Sequence, residues 1–156
     1  MTAWRLCKAR WRHFAFTGLG AANDPGRWNS AGTKVVYCGE SRALCALEIM
    51  ANVGELRDLA KARFVVSPVE IPDALIERPT RVPNDWRKTP AGHTTRLAGD
   101  RFVREGRKPV LRVPSAIVLG EFVYLLNPAH LQFSLLTIGP AQPFRFDPRV
   151  LSDASA

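Results

Sequence analysis

One acid on an apolar helix constrains this chain more than any other feature. Residues 41–52 read as a helix, with Ser41 as N-cap, a run to about Asn52, and Gly54 as the stop. Glu48 is the only acid inside it, and Cys45, Ala46, Ile49 and Met50 leave it no polar side. Leu44, Leu47, Glu48 and Ala51 follow the i, i+3, i+4, i+7 spacing, so the carboxylate shares a face with apolar neighbours. Burying an ionised carboxylate is costly unless it is paired. Two readings stay open. Glu48 is a structural acid bonded to a core arginine or a backbone amide, or it faces a cleft and stabilises developing positive charge or holds a hydroxyl.

The residues just upstream sharpen the second reading. Arg27 and Trp28 sit in a loop rich in Gly, Asn, Asp and Pro (residues 17–33), followed by a short strand, Val35 to Tyr37. Arg27 can hold a phosphate with two parallel bonds, or pair with Asp24. Tyr37 can stack on a planar base while its hydroxyl bonds a polar edge, or it is a core tyrosine. Ser115, between Pro114 and the apolar run Ala116–Leu119, has no GxSxG elbow. It therefore fits a hydrogen-bonding role or a plain turn, not a hydrolase nucleophile. Arg5 is one of four basic residues near the start of the chain. His13, His93 and His130 have no metal-like spacing, and GLGAAN (Gly18–Asn23) lacks the strand-to-helix context of a dinucleotide fingerprint.

Composition narrows the class. A chain of 156 residues is ordinarily one domain, here 1–156 with the last six or so expected to be disordered. The apolar fraction of 46% and charged fraction of 23% are those of a soluble globular protein, with no apolar run long enough for a membrane span. Cys7, Cys38 and Cys45 have no CxxC spacing, which argues against a disulfide framework and a zinc site. Cys38 and Cys45 read as small core residues, and a reducing, cytoplasmic setting fits. The net charge of +8 is mostly arginine, spread along the chain. It suits nucleic acid, an anionic small molecule or an acidic protein. A solvated basic surface is the plain reading, and nucleic acid ranks lower, because no recognised nucleic-acid-binding signature accompanies the charge.

The remaining elements follow from pattern. Residues 4–16 open on a strand. Phe64–Ile71 reads as a strand that Pro68 demotes to an edge or bulge. Residues 72–90, proline-rich and charged, form an irregular connection. Thr89-Pro90 reads as a helix opening, with the helix running to about Glu105 and stopping at Gly106. Val110–Val113, Ala116–Leu119, Phe122–Leu126, Leu131–Ile138 and Phe144–Phe146 read as further strands. The fold class is α+β, a single compact domain with a mixed or antiparallel sheet and flanking helices.

The order of several segments resembles a known family. AWRL lies near the start, then GRWNSAG, VVYCGES and ALCALE, then LRVPSAIVLGEFVYLLNPAH, and FRFDPR near the end. Over nearly its whole length the chain is similar to the RES domain, named for an arginine, a glutamate and a serine. Members of that family are toxins of bacterial RES–Xre toxin–antitoxin pairs. The resemblance implies that Arg27, Glu48 and Ser115 are the name-giving, catalytic residues. Tyr37 matches the pocket tyrosine, and Arg5 an early arginine associated with the site. Trp28 and Asn127, in matching segments, complete the expected substrate-binding set. The implied fold resembles that of ADP-ribosyltransferases.

The implied enzyme consumes NAD as substrate, with no separate cofactor and no metal. It breaks the nicotinamide–ribose bond by hydrolysis or phosphorolysis; the alternative is transfer of ADP-ribose to a protein. Chemistry agrees with this. The pyrophosphate suits Arg27 and Arg5, and the nicotinamide ring suits Tyr37 and Ser115. Cleavage creates an oxocarbenium-like ribose that a carboxylate stabilises. Nicotinamide is already a cationic leaving group, so no metal is needed. The implied partner is an Xre-type helix-turn-helix antitoxin from an adjacent gene, with a homodimer inside that complex and no membrane or direct DNA contact. The rival from a different class is a noncatalytic basic module for nucleic acid or an acidic partner. Two departures stand out: Asp24-Pro25 precede Gly26 where many relatives have another glycine, and residues 72–90 are not diagnostic.

Overall fold

Alternating apolar residues on short strands build two apolar faces on one sheet. The computed structural model describes residues 1–152. Strand β1 (Thr2–Lys8) leads through a 3-10 turn and helix α1 (Leu19–Asn23) to β2 (Val36–Gly39). Helix α2 (Arg42–Asn52), the single turn α3 (Arg57–Ala60) and β3 (Phe64–Glu70) follow. Then come β4 (Ile76–Glu77), α4 (His93–Glu105), β5 (Val110–Pro114) and β6 (Phe122–Leu126). After a second 3-10 turn (Leu131–Leu135), β7 (Thr137–Ile138), β8 (Gln142–Phe144) and α5 (Pro148–Leu151) end the described chain. The sheet runs β4-β5-β6-β2-β1-β3-β7, with β8 also on β3, and only β4–β5 is parallel. This is the α+β class, with a mixed, mostly antiparallel sheet. No helix among the described residues is long and apolar enough to cross a membrane.

Residue parity assigns the faces, because successive side chains in a strand point to opposite sides. Ala3, Val36, Cys38, Val69, Val110, Tyr124 and Leu126 pack together on one side. Tyr37, Leu111, Val113, Val123 and Leu125 pack on the other, with Trp28, Leu44 of α2 and Phe102 of α4. Leu6, Phe64 and Val66 extend that second side against Cys45 and α3 and α5. Burial pushes the Cys38 thiol up to about 12 and the Cys45 thiol to about 11, and Arg5 only partly offsets this. Both are core thiols, not reactive ones.

The ladder parts at one place. β1 matches β3 over seven register pairs and β2 matches β6 over four, yet β1 and β2 share the single pair Trp4↔Gly39. Beyond that pair the two strands diverge, and the backbone at Tyr37 takes a bond from a side chain instead: Arg5 Nη1 donates to its carbonyl (3.2 Å). Arg5 shares parity with Ala3, so its side chain leaves β1 on the face opposite Trp4, Leu6 and Tyr37.

Several expectations need correction. β3 is not an edge strand, since β1 lies on one side and β7 and β8 on the other. Gly139 N donates to Pro68 O (2.8 Å), so the missing N–H of Pro68 faces the break between β7 and β8 and removes no bond to β1. Ala116–Leu119 is a turn, because Ser115 Oγ accepts from the amides of both Ile117 and Val118 (3.1 Å each). Leu131–Ile138 is mostly a 3-10 turn, and Phe146 lies beyond β8. Residues 9–14 are a 3-10 turn, and α1 interrupts the loop at 17–33. Helix α4 starts at His93 with Gly92 as its cap, not at Thr89-Pro90. Arg27 holds the carbonyls of Trp86 and Lys88, which fixes residues 83–90 as a strap ahead of the helix. Within the last six residues, 153–156 lie outside the described residues, while Leu151 is buried.

Gly99 joins α4 to the sheet. A Cβ there would meet Trp28 O at 1.6 Å and its carbonyl carbon at 2.8 Å, so helix and loop touch backbone to backbone. Gly99→Ala must push α4 off the Trp28 loop and is expected to lower stability by about 3 kcal/mol or more, the upper end of overpacking costs. Urea melts check this; a variant within experimental error of the parent would show that the contact is soft.

Candidate functional site

The elements above bring Glu48, Ser115, Arg27 and Tyr37 to one face of the sheet. The Ser41 hydroxyl caps α2 by accepting from Leu44 N (3.0 Å), as its sequence position predicts. Leu44 and Cys45 are buried, but Leu47 and Ala51 are exposed, so the apolar face is rotated from the expected one. Glu48 sits at the boundary, half-buried.

Ser115, 1% exposed, follows β5 and points its hydroxyl at Glu48 Oε1, 2.9 Å away. The same oxygen accepts from two amides, so its one proton goes to the carboxylate. Ser115 therefore positions Glu48 and closes the turn; it is not free to act as a nucleophile. Burial raises the Glu48 pKa above its ordinary value, while the Ser115 bond and the Arg27 charge hold it down. The net shift is upward, so Ser115 and Arg27 only partly offset the cost of a carboxylate in a partly dry place.

Arg27 does not pair with Asp24. Its Nη1 donates to Trp86 O (2.8 Å) and Lys88 O (2.7 Å), and its charge reaches Glu48. The guanidinium keeps Nε and Nη2 for other acceptors. The Tyr37 hydroxyl is not free to bind a ligand's polar edge. It donates to Asn29 Oδ1 (2.7 Å) and accepts from Trp28 N (3.0 Å). Burial raises its pKa strongly, the Trp28 amide lowers it, and more distant charges (Asp100, Arg96, Glu48) add to the balance.

Asn29 is the residue that sequence reading missed in this loop. It is 0% exposed. Its Nδ2 donates to Ala21 O, Ser30 O and Thr33 O, and its Oδ1 accepts from Gly26 N and Tyr37. A buried amide with five bonds holds the loop in one shape. The available signal was its place beside Arg27 in GRWNSAG, a loop where Asn commonly bonds backbone.

Three expected residues fall elsewhere. Trp28 is 3% exposed and packed with Leu44, Phe102 and Leu125, so its ring is core and not a contact surface for substrate. Asn127 follows β6, while Ser115 follows β5. These strands are antiparallel, so the two lie at opposite ends of the pair. The Asn127 amide is bonded to Val103 O and Ala129 N. Arg5 bonds Ala15 O and Tyr37 O in the β1–β2 parting, and its charge reaches Cys45 of α2, but neither Glu48 nor Ser115 is among its hydrogen-bond partners. Two further concavities, one lined by Trp28, Glu77, Arg101 and Phe102 and one by Ser30, Lys34, Asp100 and Arg104, lack this acid–serine pair.

Comparison with known proteins gives a consistent picture. The family described as RES domain matches residues 2–147. The chain is 33% identical over 143 residues to the "Prs ADP-ribosylating toxin" of Sphingobium sp., covering 88% of each chain. It is 31% identical over 152 residues to "Toxin Res" of Yersinia enterocolitica, covering 96% of this chain and 99% of that one. A chain from the crystal structure of the M. tuberculosis MbcT–MbcA toxin–antitoxin complex matches with a TM-score of 0.71 and 17% identity, over 96% of this chain and 86% of that one. At that identity the match speaks for the fold.

Glu48→Gln separates the structural from the functional acid. The glutamine still accepts the Ser115 bond but carries no buried charge. With the folded pKa above the ordinary 4.5, the folded state binds its proton more readily. The cost of the charge is thus full at neutral pH and fades as pH falls toward the ordinary carboxyl range. Glu48→Gln is expected to melt at or above the parent at pH 7.5, with the gap closing near pH 4. A variant that melts well below the parent at pH 7.5 would make Glu48 a structural partner of Arg27.

Proposed function

The chain belongs to the RES domain family, and from that premise we propose that it is the toxin of a toxin–antitoxin pair that consumes NAD by cleaving its nicotinamide–ribose bond. The observation that carries the reading is the Ser115–Glu48 bond at 2.9 Å beside Arg27. Cleavage of a glycosidic bond to a cationic leaving group leaves positive charge on the ribose, and a fixed, ionised carboxylate stabilises it. Ser115 fixes the carboxylate, and Ser115 and Arg27 favour its ionised form against the pull of burial. The Arg27 Nε/Nη2 edge has the fork geometry for a phosphate oxygen pair. Water or phosphate captures the ribose. The enzyme acts in the cytoplasm and is held inactive by an Xre-type helix-turn-helix antitoxin from an adjacent gene.

A second reading is favoured by the Sphingobium relative, which is named as ADP-ribosylating. Here a protein side chain captures the ribose in the same site. Incubation of pure protein with NAD, with and without phosphate, followed by product identification, separates the readings. Free ADP-ribose or its phosphorylated product supports NAD degradation. Label retained on protein supports transfer. Intact NAD in every arm overturns both.

Glu48→Gln is expected to lower kcat strongly with little change in KM, a loss of about 2.7–4 kcal/mol by analogy with removal of one oxyanion-hole donor. The acid limb of the pH–rate profile should lie above 4.5, because activity is lost as Glu48 gains its proton at a raised pKa. Ser115→Ala should move that limb higher still. A limb that stays put in Ser115→Ala would show that another group titrates. Arg27→Ala should raise KM for NAD, because a phosphate contact persists through ground and transition states alike.

A further inference from the structure

A second guanidinium lies on the same face of the sheet as Glu48, and no sequence motif points to it. Arg96, in the first turns of α4, is half-buried. Its one hydrogen bond runs from Nε to Gly26 O at 3.4 Å. That carbonyl belongs to the peptide joining Gly26 to Arg27, so both arginines are tied to one peptide unit. Its charge reaches the Tyr37 hydroxyl, which Glu48 also reaches.

What marks Arg96 is partial burial without a carboxylate partner. Arg57, Arg78, Arg101, Arg107 and Arg149 each find a carboxylate. Among the described residues Arg96 has none within ion-pair distance. The acids nearby are committed elsewhere. Asp100, one turn on, accepts from Ser30 N (2.9 Å), and its pKa is lowered by Ser30, Thr33 and Arg104 against burial. Asp85 of the strap accepts from the Thr94 hydroxyl (2.6 Å). Glu48 is bonded to Ser115. A half-buried cation without a counter-charge is unfavourable unless something else supplies one. Both Nη groups of Arg96 are unbonded, and Arg27 offers Nε and Nη2.

We propose that Arg96 is a second anion-binding residue of this site, taking the diphosphate of a dinucleotide together with Arg27. This rests on the NAD reading above and gives Arg96 the diphosphate role for which the chemistry of NAD suggested Arg5. Arg5 is engaged by the carbonyls of Ala15 and Tyr37 in the β1–β2 parting.

The test measures binding of ADP-ribose, inorganic pyrophosphate and nicotinamide by calorimetry to the parent, Arg96→Gln, Arg96→Lys and Arg145→Gln, the last an exposed arginine serving as a charge control. Arg96→Gln is expected to weaken ADP-ribose binding about tenfold or more, as loss of a charge-assisted bond pair does, and to leave nicotinamide binding unchanged. Arg96→Lys should fall between, because it keeps the charge and loses the fork. KM for NAD should rise in parallel while kcat stays near the parent value; misfolding would instead lower the active fraction and hence kcat. If Arg96→Gln binds ADP-ribose as tightly as the parent and the Arg145→Gln control, the assignment to Arg96 fails, and the NAD reading stands as long as the parent binds ADP-ribose. If the parent binds neither ADP-ribose nor pyrophosphate and leaves NAD intact, the NAD reading fails and this assignment falls with it.

Discussion

The Asn29 side chain, with the Tyr37 hydroxyl bonded to it at 2.7 Å, is the constraint on which the rest of the site depends. A loop of this length and composition has no regular ladder to satisfy its backbone, and buried backbone groups must find partners. Asn29 supplies them from inside: it takes Gly26 N and gives to three carbonyls of residues 21, 30 and 33. Tyr37, rooted in the sheet, supplies the link between that loop and β2 through Trp28 N. With the loop fixed, Trp28 enters the core and Arg27 must point outward, toward the strap and Glu48. Gly26 completes the arrangement, because a Cβ there would lie 2.7 Å from the Tyr37 hydroxyl.

The charges then follow a simple division. On the outer surface, Arg57, Arg78, Arg101, Arg107 and Arg149 meet acids, and these pairs contribute little to stability, since exposed pairs are screened. On the Glu48 face, Arg27 and Arg96 are held by backbone carbonyls, which leave their charge intact. One acid is kept there by a serine whose hydroxyl has no spare capacity. A surface that places cations without carboxylate partners near a serine-bonded carboxylate is poorly optimised for stability and well suited to an anionic substrate that develops positive charge at one atom.

How much of this could be read from residue order varies by element. Helix α2, its Ser41 cap and the lone acid were legible because the pattern is local: a cap residue, a helical run, one charge. The stop of α4 at Gly106 was legible for the same reason, with φ of +54° taken by glycine and its amide bonded to Phe102 O. The start of α4 was not, because the strap before it is held by Arg27 from sixty residues away. Pro68 misled for a related reason. Its missing donor matters only on one side of the strand, and which side lies open depends on where β7 ends and β8 begins. The apolar run after Ser115 looked like a strand because hydrophobicity alone does not reveal that one hydroxyl will collect two amides and turn the chain.

Within the site, the family resemblance picked out Arg27, Tyr37, Glu48 and Ser115, which the fold brings to one face. It also suggested Trp28, Asn127 and Arg5, which the fold places in the core, at the far end of the β5–β6 pair, and in the β1–β2 parting. By itself the sequence determined what is set by composition and near neighbours: the class of fold, the apolar helix with its acid, and a family pattern of motifs. Only the tertiary structure decided what those motifs face, that Tyr37 fastens a loop, that Ser115 restrains Glu48, and that Arg96 stands beside Arg27. The reason is physical. Periodicity and capping act over a few residues, whereas the direction of a side chain depends on sheet parity, on where β1 and β2 part, and on close backbone contacts such as Gly99 against Trp28.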